Sequence, residues 1–369
     1  MIKLASPDIR EEDIQEVIEV LRSGNLVQGA CVKKLEGQLS EYTGTPYYSL
    51  VSSGTAALHL SLMALGIGKG DSVIVSAFTF PATANVVEVT GAEVVLCDVD
   101  LQSYVSTPEK LQQVIELYKS KNIKAVILVH EFGYPAEIKQ VSEICSKYGL
   151  FLIEDAACAF GAIADGYHPG FYSDMACYSF HPRKAITTGE GGAVVSFKKE
   201  LMEKINCMKN HGIAYTNGAM DFVAAGLNYR MTDFQAALAI GQLSRFDAEL
   251  AKRKKLACLY YNLLKDQKNI NLPKHHENHS WQSFMITLPE EADRTAVIEK
   301  LAEKGIQTNL GAQAINCLTY YKKKYVFDDS SAPNAFYLYT KGLVLPLYGK
   351  LNENNIETIS HTIKYILNS

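Results

Sequence analysis

Ser179-Phe180-His181-Pro182-Arg183-Lys184-Ala185-Ile186-Thr187-Thr188-Gly189-Glu190-Gly191-Gly192 sets one lysine between an apolar run and a glycine-rich turn. The run before it, Met175-Ala176-Cys177-Tyr178-Ser179-Phe180, and the run after it, Gly192-Ala193-Val194-Val195-Ser196-Phe197, both read as buried strands. A lysine held between two core strands, beside the cation Arg183, is expected to lose proton affinity through desolvation and like-charge repulsion. That is what an amine needs to attack a carbonyl and form a Schiff base. Gly191 and Gly192 allow a sharp turn and a close backbone approach to a bound group. Taken alone, the stretch also fits a solvated lysine in a hairpin loop, so the remainder of the chain decides.

Working outward, Leu150-Phe151-Leu152-Ile153 is a third apolar strand, and it ends in Glu154-Asp155-Ala156-Ala157-Cys158. Two acids follow four apolar residues, so one is expected to point inward, where it requires a cationic partner. A structural ion pair, a helix cap at Asp155 and a protonated pyridine nitrogen all meet that need. Further upstream the chain alternates. Strands are expected at Tyr47–Val51, Val73–Val75, Val94–Cys97 and Ala125–Val129, and helices at Asp8–Leu21, Cys31–Tyr42, Ser52–Leu65, Ala82–Thr90, Pro108–Tyr118 and Ile138–Tyr148. Apolar strands without polar alternation, separated by amphipathic helices, imply a mostly parallel α/β sheet covered by helices on both faces. Ligands of such sheets gather beyond the carboxyl ends of the strands.

Two more features fall at that edge. Ser52-Ser53-Gly54-Thr55 opens a helix directly after a strand, offering free N–H groups, hydroxyls and the positive end of the helix dipole, which suits a phosphate as well as plain capping. Phe78-Thr79-Phe80-Pro81 places aromatic side chains there, for packing or for stacking on a flat ring. A reactive lysine, a strand-end aspartate, an aromatic wall and a phosphate-friendly helix start match the aldehyde, pyridine nitrogen, ring and phosphate of pyridoxal 5′-phosphate (PLP). No GxGxxG or GxxxxGK[ST] motif supports a dinucleotide fold or a P-loop.

These blocks, together with Thr79-Phe80-Pro81-Ala82-Thr83-Ala84-Asn85 and Asn228-Tyr229-Arg230-Met231-Thr232-Asp233-Phe234-Gln235-Ala236-Ala237, resemble the DegT/StrS family of PLP-dependent sugar aminotransferases from about Ser6 to Tyr348. The resemblance implies the PLP fold type I: a seven-stranded, mostly parallel sheet sandwiched by helices in a large domain, 1–245, and a smaller α+β domain, 246–369. It also implies that Lys184 bonds the cofactor and moves the substrate proton, that Asp155 pairs with the ring nitrogen, and that Phe80 lies against the ring. Gly54, Thr55 and Ser179 would hold the phosphate. Asn228 would reach the phosphate of a neighbouring subunit, so a homodimer with shared active sites is expected. The implied reaction moves an amino group from an amino acid, most simply L-glutamate, to a keto sugar linked to a nucleoside diphosphate. A keto-cyclitol acceptor and a non-catalytic binding or regulatory protein are the alternatives. Dehydrating relatives typically carry histidine in place of the lysine, and a non-catalytic protein would be expected to lose Lys184 or Asp155. Two departures stand out: Cys158 occupies a position where many members have histidine or glutamine, and Thr308-Asn309-Leu310-Gly311-Ala312-Gln313-Ala314 lacks a histidine and tyrosine that several members carry.

Composition agrees with a globular enzyme. The 369 residues are 47% hydrophobic and 21% charged, with a formal net charge of −4 and no basic block, which argues against a nucleic-acid partner. No apolar run is long enough to span a bilayer, and Met1-Ile2-Lys3-Leu4-Ala5-Ser6-Pro7-Asp8 lacks the features of a signal peptide, so a cytoplasmic protein is expected. The eight cysteines have no metal-ligand spacing and are expected to be mostly buried free thiols; His275, His276 and His279 are expected in a solvated loop. One long helix is expected over Ala236–Tyr261, then a strand at Trp281–Leu288 and helices at Arg294–Lys304 and Asn352–Leu367.

Overall fold

The computed structural model describes residues 1–268 and 270–368. Eight strands form in its first two hundred residues: β1 Tyr47–Val51, β2 Ser72–Ser76, β3 Phe78–Thr79, β4 Glu93–Cys97, β5 Ile123–Val129, β6 Phe151–Asp155, β7 Met175–Ser179 and β8 Gly192–Ser196. Seven of them make one sheet in the order β1-β8-β7-β6-β5-β2-β4, in which β8 alone runs against its neighbours β1 and β7. The remaining pairs are parallel. The strands lack polar alternation because both faces are covered: Ile74, Val126 and Leu152 pack with one cluster, and Val73, Val75 and Ile127 with another on the opposite face.

The helices expected upstream of Gly149 are all present within a few residues of their expected bounds, and the first ends at Gly24, which takes φ 73°. The expected long helix over Ala236–Tyr261 is two helices, Asp233–Ser244 and Phe246–Leu264. Arg245 interrupts them at φ −112°, ψ 7° because its guanidinium is drawn to the buried Asp13 and to the Asp8 carbonyl on the first helix and the segment before it. Asp233, in the Asn228 to Ala237 block, caps a different helix: its carboxylate accepts N–H bonds from Gly29 at 2.7 Å, Val32 at 3.0 Å and Cys31 at 3.2 Å, at the start of the helix Ala30–Thr43.

A hairpin, β9 Ile213–Thr216 and β10 Ala219–Phe222, was not legible as apolar alternation. Beyond it, β11 Phe284–Thr287, β12 Asn309–Leu310 and β14 Gly342–Leu345 form a small antiparallel sheet with β14 at its centre. Between them β13, Gln313–Ala314, leaves that sheet and pairs with β3, Gln313 opposite Thr79. The helices Phe246–Leu264 and Glu353–Asn368 pack on the small sheet through Tyr260, Phe284, Leu343 and Ile359.

Two expectations need correction. His279 is not in a solvated turn but buried, with its ring stacked on Trp281 at 3.8 Å, because the loop folds back and lets its Nδ1 accept the Trp281 N–H. All eight cysteines are free thiols, but only Cys97, Cys145 and Cys177 are buried, because the others lie on loops or half-exposed helix faces.

Candidate active site

The carboxyl ends of β1, β2, β5, β6 and β7 and the amino end of the reversed β8 lie along one edge of the sheet. Strand alternation sends the two acids at the end of β6 to opposite faces. Glu154 enters a closed polar knot, bonded to His130 Nε2 at 2.7 Å, the Gly170 N–H at 2.7 Å and Ser173 Oγ at 2.6 Å. His130 Nδ1 accepts the Ala136 N–H, so Nε2 carries the proton and donates to Glu154. Asp155, 5% exposed, accepts from Thr83 Oγ1 at 2.7 Å and the Ala157 N–H at 3.1 Å. No lysine, arginine or histidine stands within ion-pair distance of it among the described residues. Burial raises its proton affinity, with Thr83, Ala157, Lys184 and His130 opposing.

Lys184 reaches the same place from the loop between β7 and β8. Three glutamines hold that loop: Gln242 exchanges two hydrogen bonds with Thr187, at 3.0 and 2.9 Å, Gln235 donates to the Glu190 carbonyl at 2.7 Å, and Gln282 donates to the Arg183 carbonyl. Lys184 Nζ then lies 2.9 Å from Cys158 Sγ. The expected loss of proton affinity does not hold for the free amine. Burial pulls it down, but Cys158, Glu131 and Asp155 together outweigh burial and hold the amine above the ordinary lysine value. Arg183 takes no part, since its side chain is exposed while Lys184 turns inward.

Glu131 completes the group. It follows β5 in a short turn whose next residue, Phe132, takes φ 54°, and burial pushes its carboxyl up to about 8 against the pull of Lys184. Only 5% of it is exposed. The strand-end reasoning that singles out Asp155 extends to Glu131, which follows Val126-Ile127-Leu128-Val129-His130 in the same way.

The helix start and the lysine loop also meet. Ser53 caps the helix Gly54–Ala64 by accepting the Ala56 N–H at 3.0 Å, while the N–H groups of Gly54 and Thr55 have no acceptor within the described chain. A Cβ on Gly54 would stand 2.9 Å from Ser179 Cβ, and one on Gly192 would stand 2.6 Å from the Ser53 carbonyl carbon and oxygen. Only glycine permits these three backbones to close around one small space. Ser179 is half-buried and Thr55 is exposed at the mouth of that space.

Phe80 lies two residues before the helix Ala82–Thr90, with its side chain 72% exposed, whereas Phe78 is core and packs against Tyr104 and Phe132. Asn228 lies on the segment that follows the β9–β10 hairpin. It is exposed, its backbone bridges Asn210, and the adjacent Tyr229 carbonyl accepts the Ser52 N–H at 2.8 Å. The segment Thr308–Ala314 comes to the site through the pairing of β13 with β3.

The described residues contain no cluster of histidine, cysteine or acidic side chains able to hold a metal, and no helix long and apolar enough to cross a membrane. The donor set fits PLP instead. It provides an anion cradle with free N–H groups at one end and, at the other, a buried carboxylate lacking a cation beside a lysine amine.

Comparison with known proteins agrees. A putative sugar aminotransferase from Streptococcus pneumoniae, Spr1654, solved in its PLP form, superposes with a TM-score of 0.92 at 29% identity, covering 100% of this chain and 98% of that one. Helicobacter pylori PseC, an aminotransferase involved in the biosynthesis of pseudoaminic acid, superposes at 0.93 with 25% identity over 100% and 99% of the two chains. An uncharacterized protein of Methanocaldococcus jannaschii, MJ1066, is 32% identical over 98% of this chain and 96% of its own length. With the DegT/DnrJ/EryC1/StrS aminotransferase pattern matching residues 7–364, the chain belongs to that family of PLP-dependent aminotransferases.

Proposed function

We propose that this enzyme transfers an amino group from L-glutamate to a keto sugar carried on a nucleoside diphosphate, with Lys184 and Asp155 as its catalytic residues. The observation that carries the reading is the buried Asp155 without a cation, at the same strand edge as an inward-turned Lys184. When bound, PLP supplies an aldehyde that captures amines and a ring that accepts an electron pair. Gly54, Thr55 and Ser179 hold the phosphate, Phe80 covers the ring and Asp155 keeps the ring nitrogen protonated. Lys184 Nζ takes the proton from the donor's α-carbon and returns it in the second half of the exchange. The sugar acceptor is drawn from the structural relative that is named a putative sugar aminotransferase.

We also read the enzyme as a homodimer. The hairpin of β9 and β10 exposes Tyr215 by 75%, and Met220, Phe222 and Val223 are also exposed, a patch that a second copy would cover. Asn228, exposed and free of side-chain partners within the described residues, would reach that copy.

The test is the absorption spectrum of the purified enzyme, before and after L-glutamate, with Lys184→Ala as control. A visible band that glutamate bleaches, and that the control lacks, is the expected result. Absence of the band at saturating PLP would sink the proposal; a band that glutamate leaves unchanged would remove glutamate as donor. Keto sugars with and without the nucleotide then test the acceptor.

A further inference from the structure

The contact between Lys184 and Cys158 carries more than the proposed chemistry requires. Nζ lies 2.9 Å from Sγ, and the described residues offer Nζ no carbonyl and no carboxylate at hydrogen-bond distance. The sulfur is well anchored. Cys158 sits in the turn after Asp155, where the Ala159 N–H returns to the Ala156 carbonyl at 2.9 Å, and its own carbonyl accepts Ser280 Oγ at 3.2 Å. The turn after Glu131 closes on the same carbonyl, since a Cβ on Gly133 would stand 2.8 Å from it.

We infer that Cys158 is a positioning residue for Lys184: in the cofactor-free enzyme, Sγ accepts a hydrogen bond from Nζ and holds the amine, protonated, over the site. The inference rests on the PLP reading above. The groups facing the pair are Glu131 from the end of β5 and Asp155 from the end of β6, with His130 acting on Asp155 and His181, three residues before Lys184, feeling the charge of the amine. Burial raises the thiol's own proton affinity and Lys184 lowers it, so near neutral pH the sulfur is a thiol accepting from an ammonium. An ammonium does not attack an aldehyde. Capture of PLP by the free enzyme is therefore restrained near neutral pH.

The test uses the full chain stripped of cofactor, with PLP added, and follows the rate of appearance of the visible band from pH 6.5 to 10. Cys158→Ala removes the acceptor. Its pH profile is expected to move to lower pH, raising the rate at pH 7.5 by ~3- to 10-fold, because the amine loses the acceptor that favours its protonated form. Cys158→Ser keeps an acceptor and is expected to lie between the two. An unmoved profile, or slower capture with the profile moved upward, overturns the inference and leaves the thiol as packing. A second measurement reads the pair from the other side and does not depend on PLP. Alkylation of Cys158 by iodoacetamide, followed by peptide mass spectrometry, is expected to need a higher pH in Lys184→Met than in the wild type, and equal profiles overturn the inference. No visible band in the wild type, with the alkylation profile shifted, would instead count against the PLP reading alone.

Discussion

Glu131→Gln removes a titrating carboxyl while keeping an oxygen that can accept the Phe132 N–H. In the folded protein that carboxyl is pushed from 4.5 up to about 8, chiefly by burial. A raised folded-state pKa means that the group's favourable contribution is complete below about pH 4.5 and is lost as pH climbs through about 8. At ~1.4 kcal/mol per unit, the loss reaches about 3 kcal/mol by pH 7 and approaches about 5 kcal/mol above pH 8. The cofactor-free Gln variant is therefore expected to match the wild type at pH 4.5 and to exceed it by about 3 kcal/mol at pH 7. With a urea slope of about 3 kcal/mol/M, that is a rise in midpoint of about 1 M. Urea titrations at pH 4.5, 6, 7 and 8.5, read by circular dichroism, measure the difference directly. Equal midpoints at every pH, or a variant weaker than the wild type at pH 7, would refute the reasoning. The acid that destabilises the fold also lifts the Lys184 amine, the pattern expected where a site draws on stability held elsewhere.

Gly192→Ala brings a Cβ to 2.6 Å from the Ser53 backbone, which must retreat and carry the Gly54 and Thr55 N–H groups with it; PLP affinity is expected to fall by ~10-fold or more in a spectroscopic titration, with stability lower by about 1 to 3 kcal/mol. Asp155→Asn is expected to retain the visible band and lose turnover by ~100-fold or more, because a neutral amide cannot hold the ring nitrogen protonated. Asp233→Ala removes three N–H bonds at the start of the helix Ala30–Thr43 and is expected to cost about 3 kcal/mol in urea unfolding, with Asp233→Asn intermediate. Phe222→Asp, on the exposed hairpin, is expected to shift sedimenting species toward monomer at micromolar concentration.

The features legible in the chain were those written in local pattern. Val126-Ile127-Leu128-Val129 and Leu152-Ile153 declare buried parallel strands because helices cover both faces, and Lys184 between β7 and β8 stands out against its apolar flanks. What could not be read was set by distant contacts. Arg245 breaks a continuous helical pattern only because Asp13, far upstream, is buried beside it. Gln242 looks like an ordinary polar position in a helix, yet it clamps Thr187 from fifty-five residues away. The sign of the shift at Lys184 failed for the same reason. Its neighbour in sequence, Arg183, faces solvent, and the groups that govern the amine, Cys158, Glu131 and Asp155, arrive from two other strand ends.

The sheet edge explains why those groups arrive together. In a parallel sheet each strand delivers its last residues to the same side, so β5 contributes His130 and Glu131 and β6 contributes Glu154 and Asp155. Alternation then divides each pair between the two faces. His130 and Glu154 satisfy each other in a dry knot beneath the edge, a pair whose geometry fixes the strand ends. Glu131 and Asp155 go to the other face, where Thr83 and the Ala157 N–H satisfy Asp155 only in part. Two acids short of positive charge meet the one lysine that reversal of β8 brings back over the edge. Were β8 parallel like its neighbours, the chain after β7 would have to cross the sheet before β8 could begin, and Lys184 would lie on that crossover instead of in a short loop at the edge. The single antiparallel strand is therefore the topological condition for the site, and the glutamine clamps on its loop are what convert proximity into an aimed amine.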